Sequence, residues 1–333
     1  MARLKVAMIG LGMASGHHAR ALLDLSDRIE CVAAYSRSNA RREAFATQYP
    51  IQTSGDLGAI FADRTIEAVL ILTPPNTHLE LVRRAAEAGK HILLEKPLDI
   101  SFARSEAIVR TARKAGILLG IVLQNRFRAA ALKLDGIVES GRLGQLVEAS
   151  AAIRNWRPQS YYDVEGRGTR ARDGGGVLLT QGIHTIDLLL SYAGTPKEVS
   201  SFVRTTPIHR METEDLVTAA FSFENGAIGT LNATTCAYPG LAERIELIGT
   251  KGTAVFTSDR LEAAFVDGTS VSEGGEKIGS GAGADPMAFG HEMHRALMEN
   301  FIDAVQNGAA LRVTGDDALK AHSFIEAILA ASR

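Results

Sequence analysis

The chain has 333 residues, of which 46% are hydrophobic and 22% charged, and a formal net charge of -2. That length exceeds one ordinary core and predicts two compact units, while the composition excludes a disordered chain. Near-neutral charge gives no electrostatic reason for nucleic acid or an anionic membrane as a partner, and no apolar run approaches the roughly 18 residues that cross a bilayer.

Arg3 and Lys5, followed by an apolar run, imitate the start of a signal peptide, but Gly10 and Gly12 interrupt it, and it reads as a buried first strand. Strands are expected at residues 5–9, 30–35, 68–72, 91–94 and 118–122. Amphipathic helices lie between them. One carries Leu79, Val82, Ala85 and Ala86 and stops at Gly89; another carries Ile108, Ala112 and Ala115 and stops at Gly116. Such alternation builds βαβ units, so residues 1–123 are expected to form an α/β, doubly wound parallel sheet. After Gln124 the rhythm changes. A helix near residues 130–140 precedes β-rich segments at 146–155, 198–205, 215–223, 227–235, 244–249 and 253–256. Turns such as Glu224-Asn225-Gly226 separate them, which predicts a large, mainly antiparallel open sheet within residues 124–333. One face of it is available to a ligand or a second subunit. Residues 273–285 are glycine-rich and read as a mobile loop. The closing helices include a face of Phe289, Met293, Leu297, Phe301 and Val305 ended by Gly308, and the last helix is a candidate to pack back on the first region.

The loop Gly10-Leu11-Gly12-Met13-Ala14-Ser15 joins the first strand to a helix. Gly10 permits the tight turn, Gly12 lets backbone approach a pyrophosphate, and the helix N-terminus suits its charge. Serine replaces the third glycine of the dinucleotide fingerprint and is small enough for close packing. Gly10, Gly12, Met13 and Ala14 are therefore expected cofactor contacts. At the end of the second strand, where an acid would hold the ribose of NAD, stand Tyr35-Ser36-Arg37. Ser36 and Arg37 suit a 2′-phosphate, which leans the cofactor from NAD toward NADP. The alternative is that Arg37, Arg41 and Arg42 are simply a solvated helix start.

Two cysteines, Cys31 and Cys236, lack paired spacing, which fits a reducing, cytoplasmic setting and argues against disulfides or a Cys-based zinc site. His291 and His294 flank Glu292 with no third ligand at a recognised spacing, so no metal is expected. Glu212, Glu214 and Asp215 read as turn and strand-entry residues.

Three further segments carry a resemblance: Thr73-Pro74-Pro75-Asn76-Thr77-His78, Ala88-Gly89-Lys90-His91-Ile92-Leu93-Leu94-Glu95-Lys96-Pro97, and Gly174-Gly175-Gly176-Val177-Leu178-Leu179-Thr180-Gln181-Gly182-Ile183-His184 with Asp187 beyond. With the glycine loop and His18 they make the chain resemble the Gfo/Idh/MocA oxidoreductases over nearly its whole length. The resemblance implies a Rossmann domain joined to an open-sheet α/β domain, assembled as a homodimer or homotetramer. It implies cofactor contacts at Thr73, Pro74, Asn76, His78, Glu95, Lys96 and Arg126, and catalytic roles for Lys96 and His184. Chemistry agrees: an ammonium past a parallel strand can stabilise an alkoxide, and an imidazole can take a hydroxyl proton. Many relatives carry an aspartate where Thr180 stands. Threonine cannot ionise, so Thr180 is expected to bond substrate while His184 takes the proton.

Arg154-Asn155-Trp156-Arg157, Tyr161-Tyr162 and Gln181 resemble the branch that oxidises UDP-N-acetylglucosaminuronate. Arg157, Tyr161, Tyr162, Thr180 and Gln181 are thus expected substrate contacts; the alternative is that the aromatic residues only pack a sheet. The activity expected is hydride transfer between a nicotinamide and a hydroxyl or keto carbon of a sugar, sugar acid or nucleotide-sugar. A non-catalytic NAD(P)-binding regulator and an NAD-dependent glycoside hydrolase are the competing readings.

Overall fold

A computed structural model describes residues 2–275 and 281–332. Two compact units divide the chain: Met1–Leu123 with Gly290–Leu319, and Gln124–Phe289 with Lys320–Arg333. Against the expected division at residue 123 with the last helix packing back, residues 290–319 cluster with the first unit and residues 320–333 with the second.

In the first unit six strands form one parallel sheet: β1 Leu4–Ile9, β2 Ile29–Tyr35, β3 Thr53–Ser54, β4 Ala68–Ile71, β5 His91–Glu95 and β6 Leu119–Val122. Their order is β3-β2-β1-β4-β5-β6, the doubly wound arrangement, with its switch point between β1 and β4. Val6, Ala7, Met8 and Ile9 are wholly buried, as are Ala68, Val69, Leu70 and Ile71. Strands covered on both faces carry continuous apolar runs, which is why they stand out in the sequence. Helix Glu292–Asn307 buries Met293, Leu297 and Phe301 and ends at Gly308, whose φ of 69° is the left-handed cap expected of glycine.

The second unit holds an eight-stranded sheet made of β7 Leu146–Arg154, β8 Pro196–Arg204, β9 Leu216–Phe223, β10 Ile228–Thr234, β11 Arg244–Gly249, β12 Gly252–Thr257, β13 Arg260–Phe265 and β14 Ser270–Glu273. The order is β14-β13-β12-β11-β7-β10-β9-β8, and every neighbouring pair is antiparallel except β7 with β10. One face is core: Val217, Ala219, Phe221, Leu231 and Ala233 alternate inward. The opposite face stays open. Strands β13 and β14 were missed in the sequence, although Leu261, Ala263 and Phe265 alternate with exposed neighbours at the strand period. Of the glycine-rich tract, residues 276–280 lie outside the described residues.

Candidate active site

The dinucleotide loop is built by close approach. Gly10 has φ +112°, and a Cβ there would lie 2.9 Å from the carbonyl carbon and oxygen of Leu72. Leu72 follows β4, so this glycine lets the chain leave β1 beside the switch point, where no other residue fits. At Gly12 a Cβ would meet no protein atom within 4 Å, so the backbone faces open space. Ser15, buried, donates its hydroxyl to Gly12 O at 2.7 Å and fills the place of the third glycine. Helix Ser15–Asp24 has no side-chain cap at Ala14; the Ser15 and His17 amides turn back to the carbonyls of Gly12 and Ala14, each at 3.2 Å. Met13 is exposed beside them. These residues fit a dinucleotide.

At the end of β2 the arginines divide. Arg42 is tied to the carbonyls of Ser36 (2.6 Å) and Arg37 (3.2 Å) and to Asn39 Oδ1 (2.7 Å), so it shapes the turn. Ser36 is buried and accepts the Ser38 amide, while Arg37 and Arg41 are exposed.

Past β5 the chain turns at Glu95-Lys96-Pro97, with a cis Lys96–Pro97 peptide. His18 Nε2 donates to Glu95 Oε1 at 2.9 Å, and the Lys96 amide donates to Glu95 Oε2 at 3.2 Å. Burial pushes this carboxyl up. The His18 bond and the charges of His18, His294 and Lys96 outweigh it and hold Glu95 below its usual range. His294 packs edge-on against His18 at 5.0 Å and stacks on His17 at 5.2 Å. In the sequence His294 shows only a helical period; its place as the wall of this cluster is a long-range fact without a local signal.

His78, expected at the cofactor, is wholly buried. Its Nδ1 lies 3.1 Å and 3.0 Å from the carbonyls of Pro97 and Leu98, and its Nε2 lies 2.8 Å from the carbonyl of Thr73. It therefore staples the Thr73-Pro74 turn to the turn after Lys96 and presents nothing to a ligand. Pro74 and Asn76 are exposed, and Thr77 Oγ1 closes their turn on Thr73 Oγ1 at 2.7 Å.

In the second unit one carboxylate anchors the segment that carries His184. Glu214 accepts the amides of Gly176 (2.9 Å) and Leu178 (3.2 Å), and its own carbonyl accepts Val177 N at 2.8 Å. Burial pushes its carboxyl up despite those amides. A Cβ on Gly176 would sit 1.8 Å from Glu214 O, so glycine is required there. Glu214 had been read only as a strand-entry residue. Next comes a π-turn, Leu178–Gly182, before helix Ile183–Ala193. The sequence reading assumed a plain α-helix placing Thr180 and His184 on one face; the wider π-turn changes that alignment, and such turns concentrate at functional sites.

The five expected substrate contacts separate. Tyr161, Gln181 and Thr180 come together: Gln181 Nε2 donates to Tyr161 Oη at 3.4 Å, and Thr180 Oγ1 donates to Gly176 O at 2.6 Å and touches Gln181 Oε1. Tyr162 instead turns inward and bonds Thr235 Oγ1 at 3.0 Å, and burial pushes its phenol up. Arg157 is 3% exposed, with its guanidinium given to the carbonyls of Trp156 (2.8 Å), Gly281 (2.8 Å), Ala282 (3.1 Å) and Gly283. It braces the glycine-rich segment and cannot grip an acid from there. Arg126, expected at the cofactor, commits Nε and Nη2 to Asp187 at 2.7 Å and 2.6 Å, fixing the helix that bears His184.

Comparison with known proteins agrees with this architecture. Residues 4–122 match the model of an oxidoreductase family with an NAD-binding Rossmann fold, and residues 131–255 match a GFO/IDH/MocA C-terminal domain. Myo-inositol 2-dehydrogenase of Thermotoga maritima is 26% identical over 94% of this chain and 92% of its own length. D-apiose dehydrogenase of Rhizobium rhizogenes is 26% identical over 98% of this chain and 94% of its own. The crystal structure of the WlbA dehydrogenase from Bordetella pertussis in complex with NADH and UDP-GlcNAcA is 25% identical. It superposes with a TM-score of 0.84 over 100% of this chain and 97% of that one. Among the described residues no helix is long and apolar enough to cross a membrane.

Proposed function

Because the chain belongs to the Gfo/Idh/MocA oxidoreductase family, we propose that it moves a hydride between a nicotinamide and a hydroxyl-bearing carbon of a sugar, sugar acid or nucleotide-sugar. The observation that carries this reading is the Glu95–Lys96 turn: an ammonium placed just past a parallel strand, its backbone pinned by a carboxylate that His18 holds. When bound, the nicotinamide supplies the hydride acceptor or donor. Lys96 holds the substrate hydroxyl and stabilises alkoxide charge as the C–H bond breaks. His184 takes the hydroxyl proton, leaving a carbonyl product. Gly10, Gly12, Met13, Ala14, Thr73, Pro74 and Asn76 hold the dinucleotide, with exposed Arg37 on the adenosine side favouring a 2′-phosphate. NADH in the WlbA relative is the observation on the other side of that choice.

Tyr161, Gln181 and Thr180 form the substrate-facing group, neutral hydrogen-bonding side chains suited to sugar hydroxyls; support for a nucleotide-linked sugar comes from the WlbA relative in complex with UDP-GlcNAcA. Inositol and apiose dehydrogenases among the relatives keep polyols and simple sugars in the screen. A purely regulatory cofactor-binding role is disfavoured by the presence of both Lys96 and His184.

The test is a reduced-nicotinamide absorbance screen with NAD and NADP against polyols, sugars, uronates and UDP-sugars. It is repeated with Lys96→Met, which should bind cofactor but turn over on the order of 100- to 1000-fold more slowly. Wild-type rates in that variant, or no substrate-dependent signal at all, would sink the proposal.

A further inference from the structure

In the second unit, well away in sequence from the residues assigned to hydride transfer, three donor atoms meet on one spot. His209 Nδ1 lies 2.8 Å from Asp215 Oδ2, Cys236 Sγ lies 3.3 Å from the same oxygen, and sulfur and nitrogen are 3.7 Å apart. The His209 and Asp215 side chains are 0% exposed.

The contacts around these atoms are crowded. His209 Nε2 faces the Arg157 carbonyl at 2.8 Å, and a carbonyl only accepts, so Nε2 carries its hydrogen. Nδ1 in turn faces the Asp215 carboxyl, so a second proton is shared between Nδ1 and Oδ2 in a place shielded from water. Asp215 Oδ2 is meanwhile already taken by Thr206 Oγ1 at 2.8 Å, so with Nδ1 and Sγ three groups crowd an oxygen that has two lone pairs. A metal ion held by the three donor atoms would take the place of that shared proton and relieve the crowding.

We propose that His209 Nδ1, Asp215 Oδ2 and Cys236 Sγ bind a divalent cation of the zinc class. The donor set of thiolate, imidazole and carboxylate is the one a borderline-soft ion selects. A tetrahedral ion at ordinary zinc bond lengths keeps its donors about 3.3–3.6 Å apart. The 3.3 Å and 3.7 Å edges are close to that spacing, and the 2.8 Å edge opens by about half an ångström when metal replaces hydrogen. The surrounding contacts match those that orient metal ligands: the second imidazole nitrogen donates to a carbonyl, and Thr206 N donates to Asp215 Oδ1 at 2.8 Å. Partly exposed, Cys236 gives an entry path and a side for a solvent ligand.

Binding forms three coordinate bonds and releases two protons to solvent, one from the Cys236 thiol and one from between Nδ1 and Oδ2; no atom changes oxidation state. Zinc with one thiolate and one carboxylate is neutral overall, which suits a buried site. The ion would tie the turn before β9 to the segment after β10, and through Nε2 to the backbone at Arg157.

The experiment is elemental analysis of the full-length protein, purified without chelator or metal-affinity resin, followed by Co²⁺ titration of the metal-stripped protein. The expected result is close to one zinc per chain. Cobalt should give visible d–d bands with a near-ultraviolet thiolate charge-transfer band that disappears in Cys236→Ser. Thr206→Val, which keeps all three ligands, should weaken binding about 10- to 100-fold. Traces of metal only, with a featureless cobalt spectrum in the wild type, would overturn the proposal and leave a buried imidazolium–carboxylate pair. Neither result bears on nicotinamide reduction.

Discussion

Lys96 takes its meaning from the carboxylate beside it, and that carboxylate is where residue-scale chemistry can be read. Glu95 is held below its ordinary value of 4.5 by the His18 bond and neighbouring positive charge, against burial. A depressed carboxyl contributes stability that is complete above its unfolded value and is lost as pH falls through its folded one. Thermal melts between neutral pH and pH 3 should therefore show a steeper acid decline in the wild type than in Glu95→Gln, beginning near 4.5. Parallel curves would remove the case for this pairing. Arg37 is the other residue with a sharp consequence, since it is exposed while Arg42 is consumed by the turn. Losing a charge-assisted bond to a 2′-phosphate costs about 1.5–3 kcal/mol, or roughly 10- to 100-fold in affinity. Arg37→Ala should weaken NADP by that factor and NAD hardly at all; equal losses by titration would retire the NADP preference. The glycine-loop and Glu95-Lys96-Pro97 positions can be named from local pattern, their roles only from the resemblance. The places of His78, Arg157 and Tyr162 were not legible, because their partners are backbone carbonyls or core hydroxyls far along the chain, and exposure cannot be read from residue type.

Elements were legible where one physical rule dominated. The strands β1, β4 and β5 show as unbroken apolar runs because both faces are covered, and the helix ends show because glycine alone adopts their left-handed caps. The two-residue β3 is too short to carry a pattern, and β13 was passed over although its alternation was present. The π-turn at Leu178–Gly182 has no sequence period of its own; it arises where Glu214 grips the chain entering it. Gly176 is the point where that grip can be tested. Alanine there drives a methyl into the Glu214 carbonyl, and relief requires the segment leading to His184 to move. Gly176→Ala should lose about 1–3 kcal/mol in urea denaturation and lower kcat with it, whereas Gly136→Ala, where a Cβ meets nothing, should do neither. An unchanged unfolding midpoint would show that the segment is looser than its contacts imply.

At the scale of the whole molecule the open face of the eight-stranded sheet sets an expectation that no single residue shows. The strand register puts Ile228 opposite Ser222, Thr230 opposite Ala220 and Thr218 opposite Asn232. Phe202 pairs with Thr218 on the same outward side. Phe202 is 60% exposed and Ile228 64%, among small and β-branched neighbours, with Glu148 opposite Ile228 on β7. An antiparallel sheet tolerates one wet face, but wet faces are ordinarily polar, and the apolar side chains of Phe202, Leu216 and Ile228 on this one are better satisfied by a second copy of itself. A two-fold pairing would also place each patch against its equivalent, the commonest way soluble chains associate. Light scattering coupled to size exclusion should accordingly give a dimer or tetramer for the wild type. The double change Phe202→Asp with Ile228→Asp should shift it to monomer while nicotinamide binding, carried by the first unit's glycine loop, is retained. A wild type that elutes as a monomer at micromolar concentration would leave this face without a partner, and a double variant that remains oligomeric would move the interface elsewhere.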